Sequence, residues 1–150
     1  VLGKSTSPFL PSYLDLKNHV EKESMANTPP VFSVFVAMLN LRNLLANGGV
    51  KAKEIENNAK AALLYNEIDS NPLFSGNVAT EDRSKMNVTF KLIDESLNAE
   101  FDAAWKSADI VGLPGHRSVG GYRASMYNAL PLSSVKVLVD TMNEFTRTKG

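Results

Sequence analysis

The sequence predicts an α+β fold, a small sheet covered on one face by helices. Three observations predict it. Residues 85–92 alternate apolar and polar side chains, with Met86, Val88, Phe90 and Leu92 on one face. The next segment switches to helical spacing, with Leu97, Phe101, Ala104, Trp105 and Ala108 at i, i+4, i+7, i+8 and i+11. Residues 122–127 alternate again, and a helical stripe of Val135, Leu138, Val139 and Met142 follows.

Pro8, Pro11 and the Pro29-Pro30 pair mark an irregular approach to the longest apolar stretch, residues 31–45. Ser33, Asn40, Arg42 and Asn43 interrupt that stretch well short of a membrane span, so it reads as a long buried helix. Thr28 is placed to cap its exposed amides, a proline in the first turn has no amide to lose, and Gly48-Gly49 ends it. Val31, Phe32, Phe35, Met38, Leu39 and Leu45 lie nearly all round this helix. Such a helix packs on more than one side and calls for a partner from outside the chain. The domain boundary is therefore set at the glycine pair, with residues 1–49 as the end of another domain and 50–150 as a small α+β domain.

A second helix is predicted over 51–69, where Ile55, Ala59, Ala62 and Leu63 recur at helical spacing and Asn71-Pro72 stops the chain; its opposite face is charged and reads as solvated. Residues 110–113 read as a short buried strand leading through Pro114-Gly115 into residues 122–127. On that later strand Arg123, Ser125 and Tyr127 share the face opposite Tyr122, Ala124 and Met126. After Pro131, Ser133 or Ser134 is placed to cap the last helix.

Composition narrows the function classes. Sixteen basic residues balance sixteen acidic ones, so no global field exists to hold nucleic acid or an anionic membrane, and any anion site is local. With no cysteine there is no disulfide framework and no thiolate nucleophile, and an intracellular, cytoplasmic protein is the simplest reading. His19 and His116 are the only histidines and do not stand in a ligand spacing, which argues against zinc. No Gly-x-Ser-x-Gly frames Ser118 or Ser125, and no Lys-Ser or Lys-Thr follows the glycines of residues 115–121 as a phosphate-binding P-loop requires. The first residues, Val1-Leu2-Gly3-Lys4-Ser5, carry neither an initiator methionine nor the order of a secretory signal, and read as a cut inside a longer chain.

What remains is anion binding. Gly115-His116-Arg117-Ser118-Val119-Gly120-Gly121-Tyr122-Arg123 places a histidine and two of the chain's five arginines around a glycine pair. Guanidinium groups offer parallel donors that match phosphate or carboxylate oxygens, and imidazole adds another donor. Two readings of the nonapeptide stand side by side: a pocket for a substrate with two anionic groups, or a basic surface turn whose arginines are solvated or pair with internal carboxylates.

Three motifs, residues 115–129, Ser24-Met25-Ala26-Asn27-Thr28-Pro29-Pro30 and Arg83-Ser84-Lys85-Met86-Asn87-Val88, closely resemble the phosphoserine aminotransferase family. Their order and separation match as well, and the resemblance covers essentially the whole chain as the C-terminal part of a longer enzyme. It implies the small C-terminal domain of a fold-type-I pyridoxal 5'-phosphate enzyme, preceded by the end of the large domain. The implied enzyme is a homodimer with shared active sites that interconverts 3-phosphohydroxypyruvate plus glutamate with phosphoserine plus 2-oxoglutarate in serine biosynthesis; a relative acting on 4-phosphohydroxythreonine is a variant within the same class. By matching motif positions, His116 and Arg117 would hold the substrate phosphate or the side-chain carboxylate of glutamate, Arg123 the α-carboxylate, and Asn27 and Thr28 the cofactor phosphate of the neighbouring subunit's site. The family's Schiff-base lysine lies before the point where this chain begins, so no catalytic residue is assigned here and the 150 residues alone are expected to be inactive. The rival from another class is a non-catalytic anion-binding or dimerisation module.

Overall fold

A computed structural model of the chain describes residues 9–149. Val1 to Ser5 and Pro8, read above as a cut end and part of the approach, lie outside the described residues. The chain divides into two compact units, Val1–Asn43 and Leu44–Gly150.

In the first unit a six-residue helix, α1 (Leu16–Glu21), follows an Asp15 cap whose carboxylate accepts from the Lys17 amide at 3.0 Å. Its apolar pattern is too short to be recognised as a helix. The long helix α2 (Val31–Ala46) begins directly after the proline pair. The cap expected of Thr28 is not formed. Carbonyls do that work, since the Val31 amide donates to Pro29 at 2.8 Å and the Val34 amide to Pro30 at 3.1 Å. The expected burial of this helix is also not met among the described residues. None of its residues is buried, and Phe32 and Leu45 are 80% and 73% exposed. An all-round apolar helix is buried only when something covers each side, and the described residues do not supply that cover.

The second unit holds α3 (Gly49–Ser70), β1 (Phe74–Gly76), β2 (Asn87–Leu92), α4 (Asn98–Ser107), β3 (Tyr122–Ser125) and α5 (Leu132–Lys149). The strands form one antiparallel sheet in the order β1-β2-β3. Alternation does what the sequence predicts: Val88, Phe90 and Leu92 of β2 and Tyr122 and Ala124 of β3 face the core, while Arg123 pairs with Thr89 and points the other way. β1 escapes prediction because three residues are too few to show a period.

Phe101 of α4 sits at the centre of the core. Its ring stands edge-on to Phe74 at 5.1 Å and Tyr122 at 5.0 Å, and tilted against Phe145 of α5 at 5.2 Å. These centroid spacings are those at which aromatic quadrupoles attract. The predicted stripe of α5, Val135, Leu138, Val139 and Met142, is buried and extends to Phe145. Trp105 is buried too, with its indole N–H donated to Asp102 at 3.0 Å.

Three local expectations are corrected. The face expected to be dry on α3 is not the buried one: Ile55, Ala59 and Ala62 are exposed, and the helix buries Asn57, Lys60, Ala61, Leu64 and Ile68 instead. Residues 110–113 form no strand, because Asp109 and Gly112 adopt left-handed φ values of 56° and 75° and turn the chain. Leu113 is buried in the core and Ile110 packs partly buried against it, while Val111 is 92% exposed. Ser133 and Ser134 do not cap α5, since that helix already begins at Leu132. Among the described residues no single helix is long and apolar enough to cross a membrane.

The packing predicts that Phe101→Ala costs about 3–5 kcal/mol, the usual range for truncating a buried aromatic. Urea unfolding of the chain, followed through the fluorescence of its single tryptophan, Trp105, reads the loss directly.

Candidate functional site

The basic nonapeptide is a loop pinched at its base. The Gly115 amide donates to the Gly121 carbonyl at 2.8 Å, and the Arg123 amide to Leu113 at 2.7 Å. Gly115 is required by this closure, because a Cβ there would collide with the Gly120 carbonyl oxygen. Gly121 is required twice over: its φ is +64°, and a Cβ would stand 2.7 Å from the Phe90 carbonyl oxygen. Inside the pinch the His116 carbonyl accepts from the Val119 and Gly120 amides at 2.9 and 2.8 Å. The loop thus presents His116 and Arg117 from a closed turn rather than a slack one.

The structure decides between the two readings of the arginines in one respect. Arg83 is paired with Asp69 through two bonds of 2.6 and 2.7 Å, and Arg147 is paired with Glu144 on α5. Arg117 and Arg123 are exposed, and among the described residues neither guanidinium meets a carboxylate. The internal-pair reading therefore fails for them, and their donors are free for a ligand. Arg123 and Ser125 border a cleft of about 410 Å³ whose apolar walls include Ile110, Leu113, Val135 and Leu138. Low-polarity walls lengthen the reach of a charge placed at their rim.

α3 fastens the segment that follows Arg123. Lys60 is fully buried, and its ammonium donates to the carbonyls of Met126, Tyr127 and Leu130 at 3.1, 3.0 and 3.0 Å. One helical turn back, the Asn57 amide donates to Asn128 Oδ1 at 2.8 Å, and Lys53 donates to the Asn128 carbonyl at 3.1 Å. Burial pulls the Lys60 pKa below the usual lysine value; Glu56 opposes that shift and Lys53 adds to it. Three carbonyl acceptors require three N–H donors, so Lys60 is held as the ammonium. Sequence reasoning placed this lysine on a solvated face and missed it. The available signal was its position one residue before the apolar run Ala61-Ala62-Leu63-Leu64.

On the open face of the sheet, Asn87 joins Ser125 and Tyr127. Its amide donates to the Tyr127 hydroxyl at 3.1 Å and its carbonyl accepts from Ser125 Oγ at 3.1 Å. These bonds tie the Arg83 motif to the Arg123 motif. Arg83 itself serves structure, stacked 4.6 Å over the Tyr65 ring while bonded to Asp69. The other two expected site residues, Asn27 and Thr28, are exposed in the first unit, in the loop that enters α2. His116, Arg117 and Arg123 belong to the second unit.

Comparison with known proteins finds phosphoserine aminotransferases similar to this chain. The phosphoserine aminotransferase of Flavobacterium johnsoniae is 59% identical over 142 residues, 95% of this chain and 40% of the relative. That of Bacteroides thetaiotaomicron is 49% identical over 148 residues, 97% of this chain and 41% of the relative. Over that span the chain is similar to a C-terminal portion of phosphoserine aminotransferases. No family model matches it. Among solved structures, the phosphoserine aminotransferase of Bacillus circulans subsp. alkalophilus superposes with a TM-score of 0.86 at 39% identity, over 97% of this chain and 41% of that one. A PLP-bound phosphoserine aminotransferase from Trichomonas vaginalis superposes at 0.78 with 36% identity, over 93% and 40%. The chain spans about two-fifths of the length of the relatives it matches, and corresponds to a C-terminal portion of these fold-type-I aminotransferases.

The buried ammonium predicts that Lys60→Met lowers the stability of the second unit by about 3 kcal/mol, because three buried carbonyls lose their shared donor. Urea midpoints of the variant and the parent chain measure it.

Proposed function

We propose that this chain is the substrate-gripping portion of a phosphoserine aminotransferase, which transfers an amino group between glutamate and 3-phosphohydroxypyruvate to give phosphoserine and 2-oxoglutarate. The observation that carries the reading is the pair of uncompensated guanidinium groups, Arg117 and Arg123, around a loop closed by the Gly115–Gly121 bond. Phosphoserine has a dianionic phosphate at one end and a carboxylate at the other. Arg117 with His116 would hold the phosphate or the side-chain carboxylate of glutamate, and Arg123 the α-carboxylate common to both substrates. With both ends fixed, the carbon that carries the amino group has one position left to occupy.

Asn27 and Thr28 suit the phosphate of pyridoxal 5'-phosphate. A carboxamide, a hydroxyl and the start of a 16-residue helix are the donor set that an anion at a helix N-terminus needs, and neither side chain spends its donors elsewhere among the described residues. When bound, the cofactor supplies the electron sink for the transfer. No lysine of this chain is assigned the role of holding it. On this reading, residues 1–49 are the end of the large cofactor-binding domain and 50–150 the small domain. The whole enzyme is a cytoplasmic homodimer in which Asn27 and Thr28 serve the neighbouring subunit's site. The unburied apolar surface of α2 is consistent with that assembly.

Kinetics of the complete enzyme test the division of labour. Arg117→Ala should raise KM for phosphoserine by about 10- to 100-fold, the loss expected for charge-assisted bonds, and raise it less for glutamate, whose charge at that end is smaller. Arg123→Ala should weaken both substrates. Equal losses for phosphoserine and glutamate in Arg117→Ala would sink the assignment. The 150-residue chain by itself should show no phosphoserine-dependent transamination in a coupled glutamate assay, even with added pyridoxal 5'-phosphate.

A further inference from the structure

An imidazole grips an anion through an N–H, and the neutral ring carries a proton on only one of its two nitrogens. Which nitrogen is protonated follows from what meets the other. In this loop both contacts to the His116 ring fall on Nδ1: Ser118 Oγ lies 2.7 Å from it and the Ser118 amide nitrogen 3.3 Å. A backbone amide only donates, so it faces a lone pair on Nδ1. The serine hydroxyl, free to rotate, adds its own proton to the same lone pair. The ring proton then resides on Nε2, which among the described residues has no partner.

The backbone supports the arrangement. The His116 carbonyl is fixed by the Val119 and Gly120 amides, so ring and serine ride on one closed turn. The serine proton is used inside that turn and is not available as a further donor to a ligand.

We propose that Ser118 is a positioning residue that holds His116 as the Nε2–H tautomer, with that N–H left to the anionic group of the substrate. The proposal rests on the reading of His116 as a phosphate ligand given above, and the two are separable by experiment. The complete enzyme, labelled with ¹⁵N in its histidine rings, is compared by long-range ¹H–¹⁵N spectra at a pH where the ring is neutral, with His116→Gln identifying the His116 signals. The parent enzyme should show a protonated Nε2 and an unprotonated Nδ1. Ser118→Ala, which leaves only the longer 3.3 Å amide contact on Nδ1, should mix the tautomers and raise KM for phosphoserine by about fivefold, the share of one ordinary hydrogen bond, with kcat within about twofold. Ser118→Thr, which keeps the hydroxyl, should restore both readouts. Because Ser118 is exposed, the urea midpoint should not move, which separates positioning from a structural role. A parent ring protonated on Nδ1, or a ring pattern indifferent to Ser118→Ala, overturns the proposal. A ring pattern that changes while KM for phosphoserine does not supports the tautomer assignment and removes His116 from the phosphate site.

Discussion

Tyr122 is the anchor on which the geometry of the candidate site depends. Its ring stacks on Phe90 at 5.4 Å and 28° and receives the edge of Phe101 at 5.0 Å, while its hydroxyl donates to Asp102 at 3.1 Å. Burial, with the Asp102 carboxylate adding to it, pushes that hydroxyl well above the usual tyrosine range, so it stays a neutral donor. Side chains alternate along a strand, so a residue fixed inward at 122 forces its neighbour outward at 123. A slip of one residue would turn Arg123 into the core, where an unpaired guanidinium is prohibitively costly. The catch that holds the core thus also aims the arginine.

Each end of this strand is secured differently. Ahead of it, the pinch between Gly115 and Gly121 closes the loop that carries His116 and Arg117. Behind it, the Lys60 ammonium gathers three carbonyls of residues 126–130. A buried ammonium is expensive in desolvation, and such groups are retained where the geometry returns the cost in directed bonds. The loop is given a single shape on both sides of Arg123, while the guanidinium itself meets no carboxylate among the described residues. Preorganised donors that need no rearrangement to meet their ligand bind it at less cost in ordering.

Legibility varied with the kind of physics involved. The periods of β2, β3, α4 and α5 were readable because one face of each is dry and the other wet, and their buried residues are the ones the period selects. The 110–113 segment misled because its apolar composition looks like a strand, while two left-handed residues, Asp109 and Gly112, decide its path. The α5 cap misled for a different reason: the helix already starts at Leu132, ahead of both serines, and the Ser134 amide donates to the Pro131 carbonyl. The candidate site residues were legible mainly through long motifs. The roles of the arginines were not, because Arg83, Arg117 and Arg123 are chemically alike and differ only in which has a carboxylate within reach.

By itself the sequence determined the fold class, the inward and outward faces of the strands, the absence of cysteine chemistry and the clustering of histidine, arginines and glycines, all of which follow from local order and period. Tertiary structure alone decided which charges are spent and which are free. Asp69 comes to Arg83 across fourteen residues, and Met126 comes to Lys60 across sixty-six. Contacts at such separations leave no period to read, so the freedom of Arg117 and Arg123 and the burial of Lys60 become visible only when the chain has folded.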